Sequence, residues 1–219
     1  MTTVRLWFTK TGEAAYISLL DLQRVMQRAF KRSGLPVWYT LGFNPHIYMT
    51  FSAPLALGQE SLCESLDFKS EAEGYDWRAG EARLAACLPR GIEVVRLEPA
   101  RMDPSKIAYS VYEWTVAPEK AAAAQAAFAR YNAAGQVTVI KEGKRGKKKE
   151  IDLKEHLREI LFKETAEGLK AKVTLPAGGT LTLNPMLLIH WLCAEGALEP
   201  VDIRILRTKL LTAEKEIFC

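Results

Sequence analysis

Among the side chains able to do acid–base work near neutrality, His46 is the one whose surroundings suggest a role. It closes the string Gly42-Phe43-Asn44-Pro45-His46. Gly42 can adopt positive φ, Pro45 fixes its own φ, and Asn44 before a proline is driven to an extended conformation. The imidazole is thereby presented where a rigid turn enters a strand, a common place for binding residues. The same residue types also build tight turns for purely structural reasons. His46 therefore stands either as a catalytic base or as a hydrogen-bonding turn residue. Asp21, Glu60, Glu64 and Asp67 are the acids near enough in sequence to orient it. His156 and His190 sit in helical patterns and read as surface and core residues. No GxSxG, HExxH, P-loop, GxGxxG or papain-type cysteine signature is present, so catalysis by this chain alone has no motif behind it.

Positive charge is the second chemical feature. Arg24, Arg28, Lys31 and Arg32 fall within about a 100° sector of a predicted helix, opposite its apolar stripe. Such a stripe can track a phosphate backbone through counterion release, or it can be an ordinary solvated face. Segment Lys141–Lys149 holds six basic residues and one acid. Within it, Lys144, Arg145, Lys147 and Lys148 are either phosphate contacts or the solvated tip of a hairpin. Trp38, Tyr39, Phe43 and Tyr48 are ring candidates for stacking bases, and equally candidates for a sheet core. Gly42, Phe43 and Asn44 join the basic residues as a predicted binding surface. Nothing in the chain specifies DNA, and the consensus of RNA recognition modules is absent.

Composition narrows the classes. The 219 residues are 48% hydrophobic and 26% charged, with 30 Lys+Arg against 26 Asp+Glu for a net charge of +4. That is the profile of a folded globular chain, not a disordered one. No apolar run approaches the roughly 20 residues that span a bilayer, and the N-terminus lacks a signal-peptide pattern. A cytoplasmic location is expected. Cys63, Cys87, Cys193 and Cys219 are scattered without CxxC or Cys/His clusters, which argues against a structural zinc or a chain-borne iron–sulfur cluster.

The elements that must position these residues emerge from periodicity. Val4–Phe8 reads as a strand that Ala14–Ile17 can continue. A helix runs from about Leu20 to Ser33, capped by Ser18 and stopped by Gly34 and Pro36. Val37–Thr40, Ile47–Ser52 and Leu62–Phe68 read as strands, Tyr75–Leu88 as a helix and Ile92–Leu97 as a strand. A second series comes next: strand Ile107–Ala117, helix Glu119–Ala133, strand Gln136–Lys141 and a helix in Asp152–Glu164 opened by a capping-box pattern. It ends with a hairpin of Lys172–Leu175 and Thr180–Leu183 around Gly178-Gly179, a helix from Pro185 to about Glu195, and strand Val201–Arg207. The order strand-helix-strand, hairpin, helix-strand appears twice. The predicted fold is α+β, two tandem ferredoxin-like (split βαβ) halves. Residues 1–100 form the first half with the GFNPH motif. Residues 101–219 form the second, with the Lys-rich loop and an inserted helix.

Several strings carry a family resemblance. They are Tyr16-Ile17-Ser18-Leu19-Leu20-Asp21-Leu22-Gln23-Arg24, Arg28-Ala29-Phe30-Lys31-Arg32-Ser33-Gly34-Leu35-Pro36, Gly42–His46, and Pro54-Leu55-Ala56-Leu57-Gly58-Gln59-Glu60-Ser61. With Glu150–Leu153 and Asn184-Pro185, they resemble the bacterial radical-SAM-associated family of uncharacterised function. Members of that family occur alone, beside a radical SAM gene, or as the C-terminal part of a B12-binding-type radical SAM protein. Leu19 stands where the family usually has histidine. The resemblance implies a radical SAM protein as partner. It also implies an RNA-related role, since the family neighbours genes for ribosomal proteins and an RNase of the E/G type. S-adenosylmethionine and an iron–sulfur cluster are expected only in that partner, with no cofactor in this chain.

The leading expectation is a non-catalytic RNA-binding or substrate-presenting partner of a radical SAM enzyme acting on RNA or a ribosomal component. The alternatives are a metal-independent RNA-processing enzyme using His46, by fold-level analogy with CRISPR RNA-processing endonucleases, and a protein–protein adaptor that does not bind RNA.

Overall fold

A computed structural model describes residues 1–142, 146, 148–179 and 181–219. The chain divides into two compact units, one formed by Met1–Ile107 with Glu216–Cys219, the other by Ala108–Lys215. The fold is α+β, with four α-helices among the described residues.

The first unit runs β1 (Thr2–Lys10), α1 (Leu19–Ser33), β2 (Met49–Phe51), β3 (Glu60–Ser70), α2 (Trp77–Ala85) and β4 (Ile92–Pro99). Pairing is antiparallel throughout and the strands lie in the order β4-β1-β3-β2. Strand alternation sends Val4, Leu6 and Phe8 to one face with Leu66 and Phe68, their cross-strand neighbours. That face meets Leu22, Met26, Ala29 and Phe30, the stripe of α1 at helical spacing. The Phe30 and Phe68 rings lie 4.7 Å apart, and Trp77 meets Phe68 edge-on at 5.5 Å. Each such side chain contributes roughly 1.5–3 kcal/mol by leaving water.

The alternate residues of β1 hold a buried ion pair. Arg5, 1% exposed, grips Asp67 on the adjacent strand with Nε–Oδ1 at 2.7 Å and Nη2–Oδ2 at 2.9 Å. Its remaining donors reach the carbonyls of Met102 at 2.7 Å and Cys219 at 3.3 Å. The Phe218 ring lies 4.5 Å from the guanidinium and 5.6 Å from Trp7.

The second unit runs β5 (Tyr109–Val116), α3 (Ala121–Ala133), β6 (Thr138–Glu142), β7 (Lys148–Asp152), β8 (Leu161–Thr165), β9 (Gly168–Pro176), α4 (Pro185–Leu192) and β10 (Ile203–Leu211). Its sheet order is β10-β5-β9-β8, again antiparallel. Trp114, Val116, Leu169, Ala171 and Val173 form the inner face, packed with Phe128, Tyr131, Leu188 and Ile189. Among the described residues β6 and β7 pair only with each other, as a two-stranded ribbon. Asn132 fixes the entry to β8: its Oδ1 accepts from the Ile160 amide at 2.8 Å and its Nδ2 donates to the Ile160 carbonyl at 3.1 Å.

Lys154 closes the end of α3. Its ammonium donates to the carbonyls of Tyr131 at 3.1 Å and Arg158 at 2.5 Å and sits 4.6 Å from the Tyr131 ring centre. Burial pushes the Tyr131 phenol well above its usual range, and its hydroxyl donates to the Leu157 carbonyl at 2.5 Å. Hydrogen bonds to a charged donor contribute about 1.5–3 kcal/mol. Lys154→Met should therefore lower urea-unfolding stability by about 1.5–3 kcal/mol. An unchanged midpoint would show that the clamp is not formed in solution.

Several sequence expectations need correction. Gly12–Tyr16 is a 3-10 turn, so Ala14–Ile17 does not continue β1. Val37–Thr40 is not a strand: only Tyr39 bridges, to Ile47. Asp152 does cap, accepting from the Lys154 amide at 3.0 Å, but the element it opens is the single 3-10 turn Leu153–Glu155, not an inserted helix. The hairpin beside α4 is β8–β9, turning at Thr165–Gly168, whereas at Gly178-Gly179 there is only a bridge between Ala177 and Thr182. Thr180, in the expected second arm, lies outside the described residues.

Candidate recognition surface

α1 forms because its cap and stop agree with its stripe. The Asp21 amide donates to Ser18 Oγ at 3.1 Å, the Ser18 hydroxyl returns a bond to Asp21 Oδ2 at 2.7 Å, and Gly34 closes the helix at φ 64°. The Ser18 hydroxyl, then Arg24, holds the Asp21 carboxyl below its ordinary range. Arg24 is thus partly engaged, at 2.9 Å from Asp21, in an exposed pair of small energetic worth. The Arg32 guanidinium donates to the Cys87 carbonyl and is drawn toward the end of α2. Arg28 and Lys31 are exposed and make no ion pair among the described residues. Of the four predicted basic residues, these two remain available for a ligand. Arg28 borders a groove with Val25, Cys87 and Leu88.

The Gly42–His46 turn is a small closed tip. The Thr40 amide donates to the His46 carbonyl at 2.8 Å, and the His46 amide donates to Thr40 Oγ1 at 3.1 Å. Its base is tied to β3 by the Trp38 amide donating to the Lys69 carbonyl at 2.8 Å and by the Ser70 hydroxyl donating to the Pro36 carbonyl at 2.6 Å. Ile47 is buried and anchors one arm, while residues 41–46 are all exposed. Gly42 sits at φ 124° with open space where a Cβ would go, so the backbone alone demands glycine there. Phe43 is fully solvated at 106% relative exposure and Leu41 nearly so at 91%. Trp38 and Tyr48, by contrast, pack edge-on at 6.4 Å, with the Lys69 ammonium 5.1 Å from the Tyr48 ring centre.

His46 Nδ1 lies 3.2 Å from the Asn44 carbonyl and 3.0 Å from Thr40 Oγ1. A carbonyl only accepts, so the Asn44 contact fits the neutral tautomer with its proton on Nδ1, in which Nε2 is an acceptor with no partner among the described residues. None of the expected acids orients the ring: Asp21 holds Ser18 and Arg24, Asp67 holds Arg5, Glu60 accepts from the Gly12 amide at 2.7 Å, and Glu64 is a buried strand residue. The turn thus presents Phe43 and the His46 ring at an exposed tip.

Lys144, Arg145 and Lys147 lie outside the described residues. Lys148 is exposed at the start of β7, opposite Glu142. The sequence reading did not single out Tyr16, Leu20 and Leu57, which are 72%, 57% and 61% exposed. The Gly58 amide donates to the Ala15 carbonyl at 2.9 Å, bringing the loop after β2 beside the turn that carries Tyr16. The motif strings around Tyr16 and Leu57 were the available signal.

Among the described residues no group of three His, Cys, Asp or Glu side chains is arranged to hold a metal ion. No described helix is long and apolar enough to cross a membrane.

No curated protein matches the sequence. The chain is similar to a solved structure titled as that of an unknown protein from Galdieria sulphuraria, at 13% identity, covering 94% of this chain and 98% of that one with a TM-score of 0.26. A family model described as an uncharacterized protein conserved in bacteria (DUF2344) matches residues 3–185, most of the chain, and the protein belongs to that family.

Proposed function

We propose that this protein is a cytoplasmic, non-catalytic RNA-binding partner of a radical SAM enzyme, presenting RNA or a ribosomal component for modification. We read its two units as tandem split βαβ halves, since among the four strands β1–β4, and among β5, β8, β9 and β10, the last lies beside the first and the first beside the third. The partner would supply the S-adenosylmethionine and the iron–sulfur cluster. The exposed Tyr16, Leu20 and Leu57 are the surface we assign to that protein contact.

The observation that carries the RNA reading is Phe43, a fully solvated ring on a turn whose backbone is locked by its own hydrogen bonds. Base–aromatic stacking contributes about 1–3 kcal/mol per base, and a rigid platform spends little entropy to make it. Arg28 and Lys31 on α1 would add sequence-independent phosphate contacts. The test is fluorescence anisotropy with single-stranded RNA across a salt series. Phe43→Ala should weaken binding about 5- to 150-fold, the equivalent of one stacked base, without altering the melting temperature. Arg28→Glu with Lys31→Glu should weaken binding and flatten its salt dependence. His46→Ala should keep most of the affinity. Salt-insensitive binding, or none, would sink the proposal. RNA cleavage lost only in His46→Ala would instead favour the enzyme reading, for which the open Nε2 is the supporting observation.

A further inference from the structure

The outer face of the second sheet carries its own pattern of charge. Register places Arg204 on β10, Thr115 on β5, Lys170 on β9 and Lys163 on β8 in one row across four strands. At about 4.8 Å per strand the row spans roughly 14 Å. It contains three cations, a hydroxyl and no acid. Alternation puts all four on the side opposite the core residues Trp114, Val116, Leu169 and Ala171.

Lys163 and Lys170 are directly opposed on adjacent strands. Like charges in that position destabilise a sheet. Lys170 is answered by Glu167 at 2.7 Å and Glu113 at 3.8 Å. Lys163 and the neighbouring Lys172 are exposed and make no ion pair among the described residues. Leu161, 63% exposed and opposite Lys172, sets an apolar side chain beside the cations. Glu113, Leu161, Lys163, Thr165, Lys170 and Lys172 line one concavity on this face.

We infer that this face is a second binding site for single-stranded RNA, whose sugar–phosphate chain crosses the strands along the Arg204–Lys163 row. The inference rests on the RNA-binding reading proposed for the protein and adds a site to it. A phosphate between Lys163 and Lys170 relieves their repulsion, and ammonium groups donate to tetrahedral oxygens from any direction. Leu161 offers an apolar surface to a base. A linear row of cations flanked by apolar surface favours a phosphodiester chain over an acidic polypeptide, whose carboxylates branch to alternate sides.

The test uses the full chain and a fluorescein-labelled 20-nucleotide oligouridylate, with affinity measured against salt. Lys163→Glu with Lys172→Glu should weaken binding about tenfold and reduce the log–log salt slope by about 1.4, the value for two lost phosphate contacts on a single strand. Lys163→Gln alone should raise the melting temperature of the RNA-free protein, because it removes the opposed charge. That gain is expected to shrink when RNA is present. Wild-type binding with an unchanged slope in the double variant overturns this site and leaves the first one standing. No binding by the wild type overturns both. Competition by polyglutamate as strong as that by unlabelled RNA of equal charge overturns RNA as the occupant.

Discussion

Arg5→Ala is expected to cost about 3–5 kcal/mol, the penalty for leaving a buried charge without its partner. The substitution strips Asp67 of both its bonds and orphans the carbonyls of Met102 and Cys219. It also removes the cation packed on Phe218 and Trp7. Asp67→Ala should cost a similar amount from the other side. Arg5→Met combined with Asp67→Leu should recover much of the loss, because well-packed apolar pairs replace buried ion pairs at little cost. Recovery should stay incomplete, since the two carbonyls gain no new donors. Urea unfolding followed by tryptophan fluorescence checks this, and a loss under about 1 kcal/mol for Arg5→Ala would mean that the pair is solvated and worth no more than a surface bridge.

Gly168→Ala is the second large effect. Gly168 opens β9 at φ 112°, a conformation that side chains rarely adopt, and an added Cβ would stand 2.0 Å from the Val116 carbonyl oxygen and 3.0 Å from the backbone of Ala117 and Pro118. No flexible side chain can move aside, so backbone must. Strain of about 1–3 kcal/mol and overpacking of similar size combine to roughly 2–6 kcal/mol. Gly179→Ala, with open space around it, is the control and should lie within about 0.5 kcal/mol of wild type. The damage should also reach RNA binding, because Gly168 pairs with Thr165 and sets the register of Lys163 against Lys170. A Gly168→Ala protein as stable as the control would refute the close approach.

The first unit was largely legible because its signals agree. Ser18, Asp21, the Leu22–Phe30 stripe and Gly34 all specify one helix, and the structure gives Leu19–Ser33. Local and global preferences conflict in residues 152–168. Asp152 caps as its residue type dictates, yet Asn132, from α3, supplies the strand-like partner that turns Ile160 into β8. A tertiary contact of that kind leaves no trace in the local pattern. Reading a helix there hid the alternation of Leu161, Lys163 and Thr165, and with it the charged row. Phe43 presented the opposite difficulty. It was expected on a binding surface although its residue type fits a core equally well, and the positive φ of Gly42 with the closure through Thr40 accompanies its full exposure. The acids near His46 were close in sequence, but strand pairing committed Asp67 to Arg5 instead.

The first unit takes in four residues, Glu216–Cys219, that lie beyond the whole of the second. During vectorial synthesis the second unit is contiguous and can condense as it emerges, at roughly 5–20 residues per second. The first cannot. Arg5, Trp7 and Asp67 leave the ribosome early and wait for Phe218 and the Cys219 carbonyl to arrive. Until then the Arg5 guanidinium lacks its bond to the Cys219 carbonyl and the Phe218 ring packed on it. The order of translation thus makes the first unit the last to be completed.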